Sequence, residues 1–452
     1  MSAMSSSSGT GHTGLGRIGV VGGGLLGMTL ALRLRQRGAR VTLLDAAPTA
    51  GGLADAMRIG DFTWDRFYHV MLLSDLNTRA LVDELGLTDR LRWGRTRTGF
   101  FTDGALHSMS NSVEFLRFPP LSLPDKLRLG GTIFLASKLR DVRRLENELA
   151  VDWLRRWSGD RVLERIWLPL LRSKLGENYR IASAAFIWAI IARMYAARRS
   201  GLKEEMFGYI DGGYAVVLDA LSKALDAAGV QFIGGATARS IVDTSEGVDV
   251  TLVDGGALSF DRVVSTVPAS VFAKTCPQLR DDERERLERV IYQGIVCGAL
   301  LTRTPLSPYY VTNITDPGIP LTGIIEMTAL VDRERFGGHS LVYLPRYLAQ
   351  DDAAWSASDA QFTEQSLSAL QWMYPHFDRR DVIDFKVARA RRVLAISTLD
   401  YTARAMPPLV TSMPRVFQLS SAQIAQGTLN VNETLGVVQS RLPELISRME
   451  AA

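Results

Sequence analysis

Three groups of residues in this 452-residue chain have types and spacing suited to chemistry. The first is Gly22-Gly23-Gly24-Leu25-Leu26-Gly27, a Gly-x-Gly-x-x-Gly run, with Asp45 placed 18 residues beyond its last glycine. Gly22 permits a tight turn, Gly24 lets the backbone approach a pyrophosphate, and Gly27 allows a helix to pack closely on a strand. Leu25 and Leu26 open that helix, so their free N–H groups and its positive dipole end face the phosphates. Asp45 is spaced to accept the ribose hydroxyls of an adenosine. The second group, Phe67-Tyr68-His69, sets an imidazole beside a phenol, a pair suited to acid–base work or, equally, to stacking on a bound ring. The third is spread along the chain. Arg172 and Lys174 follow a hydrophobic turn and could grip a phosphate or carboxylate, with a solvated helix face as the competing reading. Tyr309, Tyr310 and Asn313 follow a proline turn, Glu326 ends a strand, and Tyr343 and Arg346 lie in VYLPRY. Glu326 and Arg346 stand out because their apolar settings bury a charge unless a partner is present.

These residues need elements to position them. RIGVV reads as a buried strand, Leu25 to Arg37 as a helix with Leu26, Leu30 and Leu34 on one face and Gly38 as its stop, and RVTLL as a second strand running into Asp45. Between 203 and 270 a helix marked by Val217, Leu221 and Leu225 precedes the runs VQFIG, SIVDT, VDVTLV and RVVST, read as strands that extend the first sheet. The C-terminal stretch from Pro414 gives a strand, a turn at Gly427 and Asn430, and a helix from about Val431. Two long insertions, roughly 100–205 and 271–400, separate these blocks, and the first is rich in helical patterns.

Composition narrows the function classes. With 46% hydrophobic and 22% charged residues the chain reads as globular, and a net charge of +4 is too small to indicate a nucleic-acid protein. Cys276 and Cys297 and the five histidines show no metal-ligand spacing, so no metal site is expected and a cytoplasmic, reducing location is the simpler reading. The first sixteen residues read as a disordered tail. Residues 115–140 combine three prolines and apolar residues with Lys126, Arg128, Lys138 and Arg140, a composition compatible with peripheral contact with anionic lipid as well as with a packed helical cap.

After Asp45 the chain continues through Gly51, Gly52 and Leu53, and this second glycine pair resembles the FAD-binding signature of the amine oxidase, phytoene desaturase and protoporphyrinogen oxidase superfamily. The strings GGLADAMRIGDFTWDRFYHVMLLSD, WLPLLRSKLG, PLSPYYVTNITDPGIPLTGIIEMTAL and VYLPRYL resemble bacterial members of that group. The first string is also similar to the histidine-containing loop beside the flavin in UDP-galactopyranose mutase. The resemblance implies an α/β fold with a Rossmann-like FAD-binding domain built from 17–99, 203–270 and 401–452, a helical cap at 100–202 and a mixed α+β substrate domain at 271–400. It implies that Ala238 contacts the adenine by backbone and that the backbone of Val431 and Asn432 faces the flavin ring. Family members carry a Gly-Asp pair before that helix; here Ser421-Ala422-Gln423 stands instead, leaving Gln423 as the candidate for a ribityl hydrogen bond. A second Gly-x-Gly-x-x-Gly after a strand is missing from the sequence, so electrons would leave non-covalently bound FAD to oxygen, a quinone, a protein carrier or the substrate. The implied activity is hydride transfer from a C–H or C–N bond of a small molecule to flavin. A redox-neutral sugar-nucleotide mutase and a non-catalytic flavin-binding protein are the alternatives.

Overall fold

The computed structural model describes residues 14–139, 141–196, 205–425 and 427–451. Most of the expected tail, with Arg140 of the 115–140 segment, lies outside the described residues. Strand β1 (Arg17–Val21) is the centre of a five-stranded parallel sheet. Strand β2 (Arg40–Leu44) and Gln231–Ile233 lie on one side of it, and Arg262–Ser265 and Val416–Gln418 on the other. Parallel neighbours need crossovers, and helix α1 (Leu25–Gln36) supplies the first, packing with helices Tyr214–Ala228 and Val431–Ala451 in one apolar core. The sheet is therefore assembled from three separated stretches of chain.

Only two of the four strands expected between 230 and 266 join this sheet. Ala238–Asp243 and Val248–Leu252 pair instead with Ala257–Phe260 in a separate three-stranded antiparallel sheet. The connections explain the difference: Gly247 and Gly255 adopt positive φ in short turns, and a short turn can join strands only antiparallel.

A seven-stranded sheet forms the second layer, in the order Val382–Ala395, Tyr292–Thr302, Ser340–Leu348, Gly323–Glu326, Val311–Ile314, Thr98–Thr102 and Ala105–Ser108. The expected boundary at residue 100 falls inside the strand Thr98–Thr102, which pairs with Val311–Ile314. Side chains alternate across a strand. Ile295, Cys297, Leu341 and Tyr343 share one apolar cluster with the hairpin residues Ile59 and Trp64. Val296, Leu300, Val342 and Leu344 share another with Phe362 and Leu370 of helix Asp359–Met373. The helical region between 112 and 196 packs around Trp153, Leu154 and Phe186.

Candidate functional site

The two glycine-rich loops are interlocked. Gly22 takes φ +113°, and a Cβ there would lie 2.4 Å from the Thr266 hydroxyl. A Cβ on Gly27 would stand 1.8 Å from the Gly22 carbonyl oxygen, so the third glycine is what lets α1 seat on the first turn. The Gly51 N–H donates to the Gly23 carbonyl at 2.8 Å, and a Cβ on Gly52 would come within 3.0 Å of the Gly24 Cα. Helix α1 then starts at Leu25 with no side-chain cap and no acidic residue in its first turn, leaving its positive end uncompensated. The side chains of Leu25 and Leu26 turn into the core, so only their backbone can serve a ligand. Asp45 accepts the N–H of Gly23 at 2.5 Å on one oxygen and that of Ala47 at 2.7 Å on the other. Each oxygen retains a lone pair. Bare backbone, an open helix N-terminus and a carboxylate at the end of β2 fit the adenosine diphosphate half of a dinucleotide.

Other segments close on this cradle. The Ala236 N–H donates to the Asp45 carbonyl at 2.8 Å, which brings the half-buried Ala238 two residues along the chain from the acid's backbone. At the C-terminal end, the Gln423 amide is held by backbone groups: its oxygen accepts from Ser420 N–H, and its nitrogen donates to the carbonyls of Pro407 and Gln418. The side-chain bond to a ribityl group expected of Gln423 is thus replaced by a structural one. Asn430 accepts the Glu433 N–H at 3.0 Å and caps the helix that begins at Val431. The Asn432 side chain turns away to accept the Asn77 N–H at 2.9 Å.

Asp65, Tyr68 and His69 meet at the end of the hairpin formed by Ala56–Ile59 and Phe62–Asp65. Buried Asp65 accepts the Tyr214 N–H at 2.7 Å, and its backbone carbonyl accepts the Tyr343 hydroxyl at 2.5 Å. His69 Nδ1 lies 3.6 Å from the Asp65 carboxylate, beyond hydrogen-bonding range, and its ring packs on Tyr214 with centroids 4.9 Å apart. That Nδ1 is buried without a hydrogen-bond partner. The Tyr68 hydroxyl meets that of Tyr347 at 3.2 Å, and Lys174 Nζ stands 4.2 Å from the centre of the Tyr347 ring. Tyr310, packed against Phe207 at 5.2 Å between ring centres, carries a buried hydroxyl without a partner. Burial pushes the phenols of Tyr68, Tyr310 and Tyr343 above their ordinary range, so at neutral pH they are O–H donors rather than bases. Leu53 borders the same apolar cluster and joins the cradle to this phenol-lined wall.

Lys174 is held over Tyr347 by local chemistry. Its helix, Leu168–Leu175, leaves a π-helical turn at Leu163–Trp167. Pro169 explains the widening, because it has no N–H for the turn below and crowds that carbonyl. The Thr322 hydroxyl then donates to the Ser173 carbonyl at 2.8 Å while accepting the Tyr347 N–H at 3.1 Å.

Five expected members stand elsewhere. Arg172 is two residues from Lys174, which on a helix is the opposite side; it is exposed and contacts the Tyr179 hydroxyl at 3.3 Å, so the two cations form no clamp. Arg346 pairs in register with Val296 on the face that packs against Asp359–Met373, opposite Tyr343 and Tyr347. Glu326 lies on that same rear face, pairing with Val342. It accepts the Leu306 N–H at 3.1 Å, and burial pushes its carboxyl up to about 8. Tyr309 covers Gly99 beside Arg97, and Asn313 reaches the Gly99 carbonyl at 3.5 Å.

The sequence profile described as flavin containing amine oxidoreductase matches residues 27–418. The chain belongs to that family. A flavin cofactor comes with membership. Coproporphyrinogen III oxidase of Mycobacterium bovis is 26% identical over 284 residues, 56% of this chain and 59% of that protein. The match therefore spans less than two thirds of that relative. Among solved structures, a proposed protoporphyrinogen oxidase from Exiguobacterium sp. 255-15 superposes with a TM-score of 0.75 at 16% identity, covering 95% of this chain and 98% of the other. Reduced UDP-galactopyranose mutase gives a TM-score of 0.72 at 15% identity, covering 96% and 97%. At such identities the likeness concerns the fold.

Within this flavin-containing family member, the residues the sequence reading passed over are Asp65, Tyr214 and Tyr347. Tyr347 had a readable signal, since a strand that directs Tyr343 to one face directs Tyr347, and not Arg346, to the same face. Asp65 had none, because its partners are 149 and 278 residues away.

Proposed function

We propose that this chain binds FAD without a covalent bond and oxidises a C–H or C–N bond of a small organic molecule. The observation that carries the reading is the interlock of the two glycine loops beneath an uncapped α1 and beside Asp45. FAD bound there supplies the hydride acceptor. The buried phenols of Tyr68, Tyr310 and Tyr343 exclude water, and Tyr310, whose hydroxyl has no partner in the protein, offers an O–H donor to the substrate. His69, whose buried Nδ1 has no hydrogen-bond partner, takes the proton that leaves with the oxidised bond, and Lys174 holds an anionic group of the substrate over Tyr347. Arg172, Tyr309 and Asn313 belong to the outer rim of this reading; Glu326 and Arg346 support the sheet from behind. The backbone of Ala238, Val431 and Asn432 completes the cofactor contacts. The chain from 17 to the start of the strand Thr98–Thr102, with 205–270 and the stretch from 401 on, forms the flavin-holding unit, with the cap and substrate unit between them. Both cysteines are fully buried, in keeping with a non-covalent cofactor and a cytoplasmic setting. Oxygen, a quinone or a protein carrier reoxidises the cofactor, and the chain makes peripheral contact with a membrane.

The purified protein should be yellow, and acid precipitation should release intact FAD. A colourless protein that cannot be reconstituted overturns the reading. Anaerobic mixing with porphyrinogens, amines, isoprenoids and sugar nucleotides should bleach the flavin with one class. The relative from Mycobacterium bovis places porphyrinogens first. The single cation over Tyr347 also suits a phosphate, which favours a mutase as second reading; conversion of a sugar nucleotide by pre-reduced enzyme without consumption of an acceptor distinguishes it.

A further inference from the structure

The helix Leu123–Lys138 is turned inside out. Its inward side carries Asp125, Lys126 and Thr132 beside Leu129, Ala136 and the partly buried Ile133, whereas Leu123 and Leu127 on its outer side are 60% and 68% exposed. Phe134 and Leu135 continue the outer stripe. The inward polar groups are satisfied: Asp125 accepts the N–H and hydroxyl of Ser122, Lys126 donates to the Leu116 carbonyl at 2.8 Å, and Thr132 meets the Ser158 hydroxyl at 3.0 Å. A helix bounded by water shows the reverse pattern. The Lys126 contact also brings Leu116, itself exposed, alongside the first turns. Of the seventeen large hydrophobic residues exposed among the described residues, seven fall between 113 and 139.

The surroundings of the stripe are basic. Among the described residues of 113–144, the exposed charged side chains are Arg117, Arg128, Lys138, Arg143 and Arg144 against one acid, Asp141, which Arg144 pairs at 3.2 Å. An apolar stripe accompanied by cations is complementary to the acyl boundary of a bilayer with negative headgroups. Among the described residues no helix is long and apolar enough to cross a membrane, so the contact is with one leaflet. We infer that the outer face of Leu123–Lys138, with Leu116, is a docking surface for an anionic lipid membrane. The inference rests on the peripheral contact proposed above and is independent of the redox reading.

The test is co-sedimentation of the intact flavin-loaded protein with 100 nm vesicles of phosphatidylcholine containing about 30% phosphatidylglycerol, and with phosphatidylcholine alone. Binding should favour the anionic vesicles and weaken in high salt, with about a fivefold loss for each positive charge removed at Arg117, Lys138 or Arg143. L127D/F134D should lose binding at least tenfold while retaining flavin and thermal stability. W372D, which alters an exposed tryptophan on the opposite layer, should bind as the parent does. Equal binding by L127D/F134D, or no binding by the parent, overturns the assignment. So does a dimer in light scattering that L127D/F134D dissociates and vesicles do not, which would give the face to a second copy. Flavin content and turnover, read on the same samples, report separately on the redox reading.

Discussion

Replacing Asp45 by alanine tests the cradle most directly. In the folded chain its two oxygens hold the N–H groups of Gly23 and Ala47, and each has one lone pair left for a ribose hydroxyl. A charge-assisted hydrogen bond is worth roughly 1.5–3 kcal/mol, so losing two costs about 3–6 kcal/mol of cofactor binding. Asp45 is partly exposed, and water competes for both hydroxyls, which favours the lower end. About 3 kcal/mol corresponds to a loss of affinity of roughly 100-fold. D45N keeps one acceptor oxygen and should fall between, near tenfold. The N–H groups of Gly23 and Ala47 lie in a loop and can be rehydrated, so the apoprotein should keep its fold and lose only a few degrees of melting temperature. Fluorescence titration of apoprotein with FAD, beside a thermal melt, reads both quantities. Affinity within twofold of the parent would refute the ribose role, and loss of the apoprotein fold would make Asp45 an anchor of the glycine loop alone.

H69A should slow substrate-dependent flavin reduction by about 10²–10⁴-fold if the imidazole takes the proton, whereas a merely stacked ring would change the flavin spectrum; stopped-flow bleaching separates these, and a parental rate removes the chemical role. K174Q should raise KM for an anionic substrate by about tenfold with kcat little changed, and Y347F should lose less; equal effects on a neutral analogue would contradict the assignment. For Glu326 the folded carboxyl is raised to about 8 by burial, so the folded state holds its proton more tightly than the unfolded chain, and stability from this group declines as pH rises from the ordinary carboxyl range toward about 8. E326Q lacks that titration, so its melting temperature relative to the parent should climb with pH; parallel profiles would refute the buried, protonated assignment.

The cradle was legible because its parts are local: Gly22, Gly24, Gly27, α1 and Asp45 fall within thirty residues and obey backbone geometry that needs no tertiary partner. The wall opposite it was not. Tyr68 and Tyr347 meet across 279 residues, through a register that depends on which strands become neighbours. Arg172 and Arg346 lie apart from that wall for a common reason: a helix turns the next-but-one side chain away and a strand turns the adjacent one away. Gln423 differs, because a buried amide takes backbone partners at hand, here Ser420, Gln418 and the more distant Pro407.

The strand Ser340–Leu348 separates two kinds of selection. Tyr343 and Tyr347 look toward the candidate site and Val342, Leu344 and Arg346 toward the supporting helix, so neighbouring codons answer to different demands. Substitution of partly exposed Tyr347 should redraw which molecules are accepted while leaving the melting temperature near its starting value, whereas fully buried Tyr343, bonded to Asp65, answers to both demands. Substitutions at the even positions should shift melting while leaving substrate preference in place. A lineage could drift between substrates by editing one side of this wall, because the other side keeps the scaffold standing while it does so.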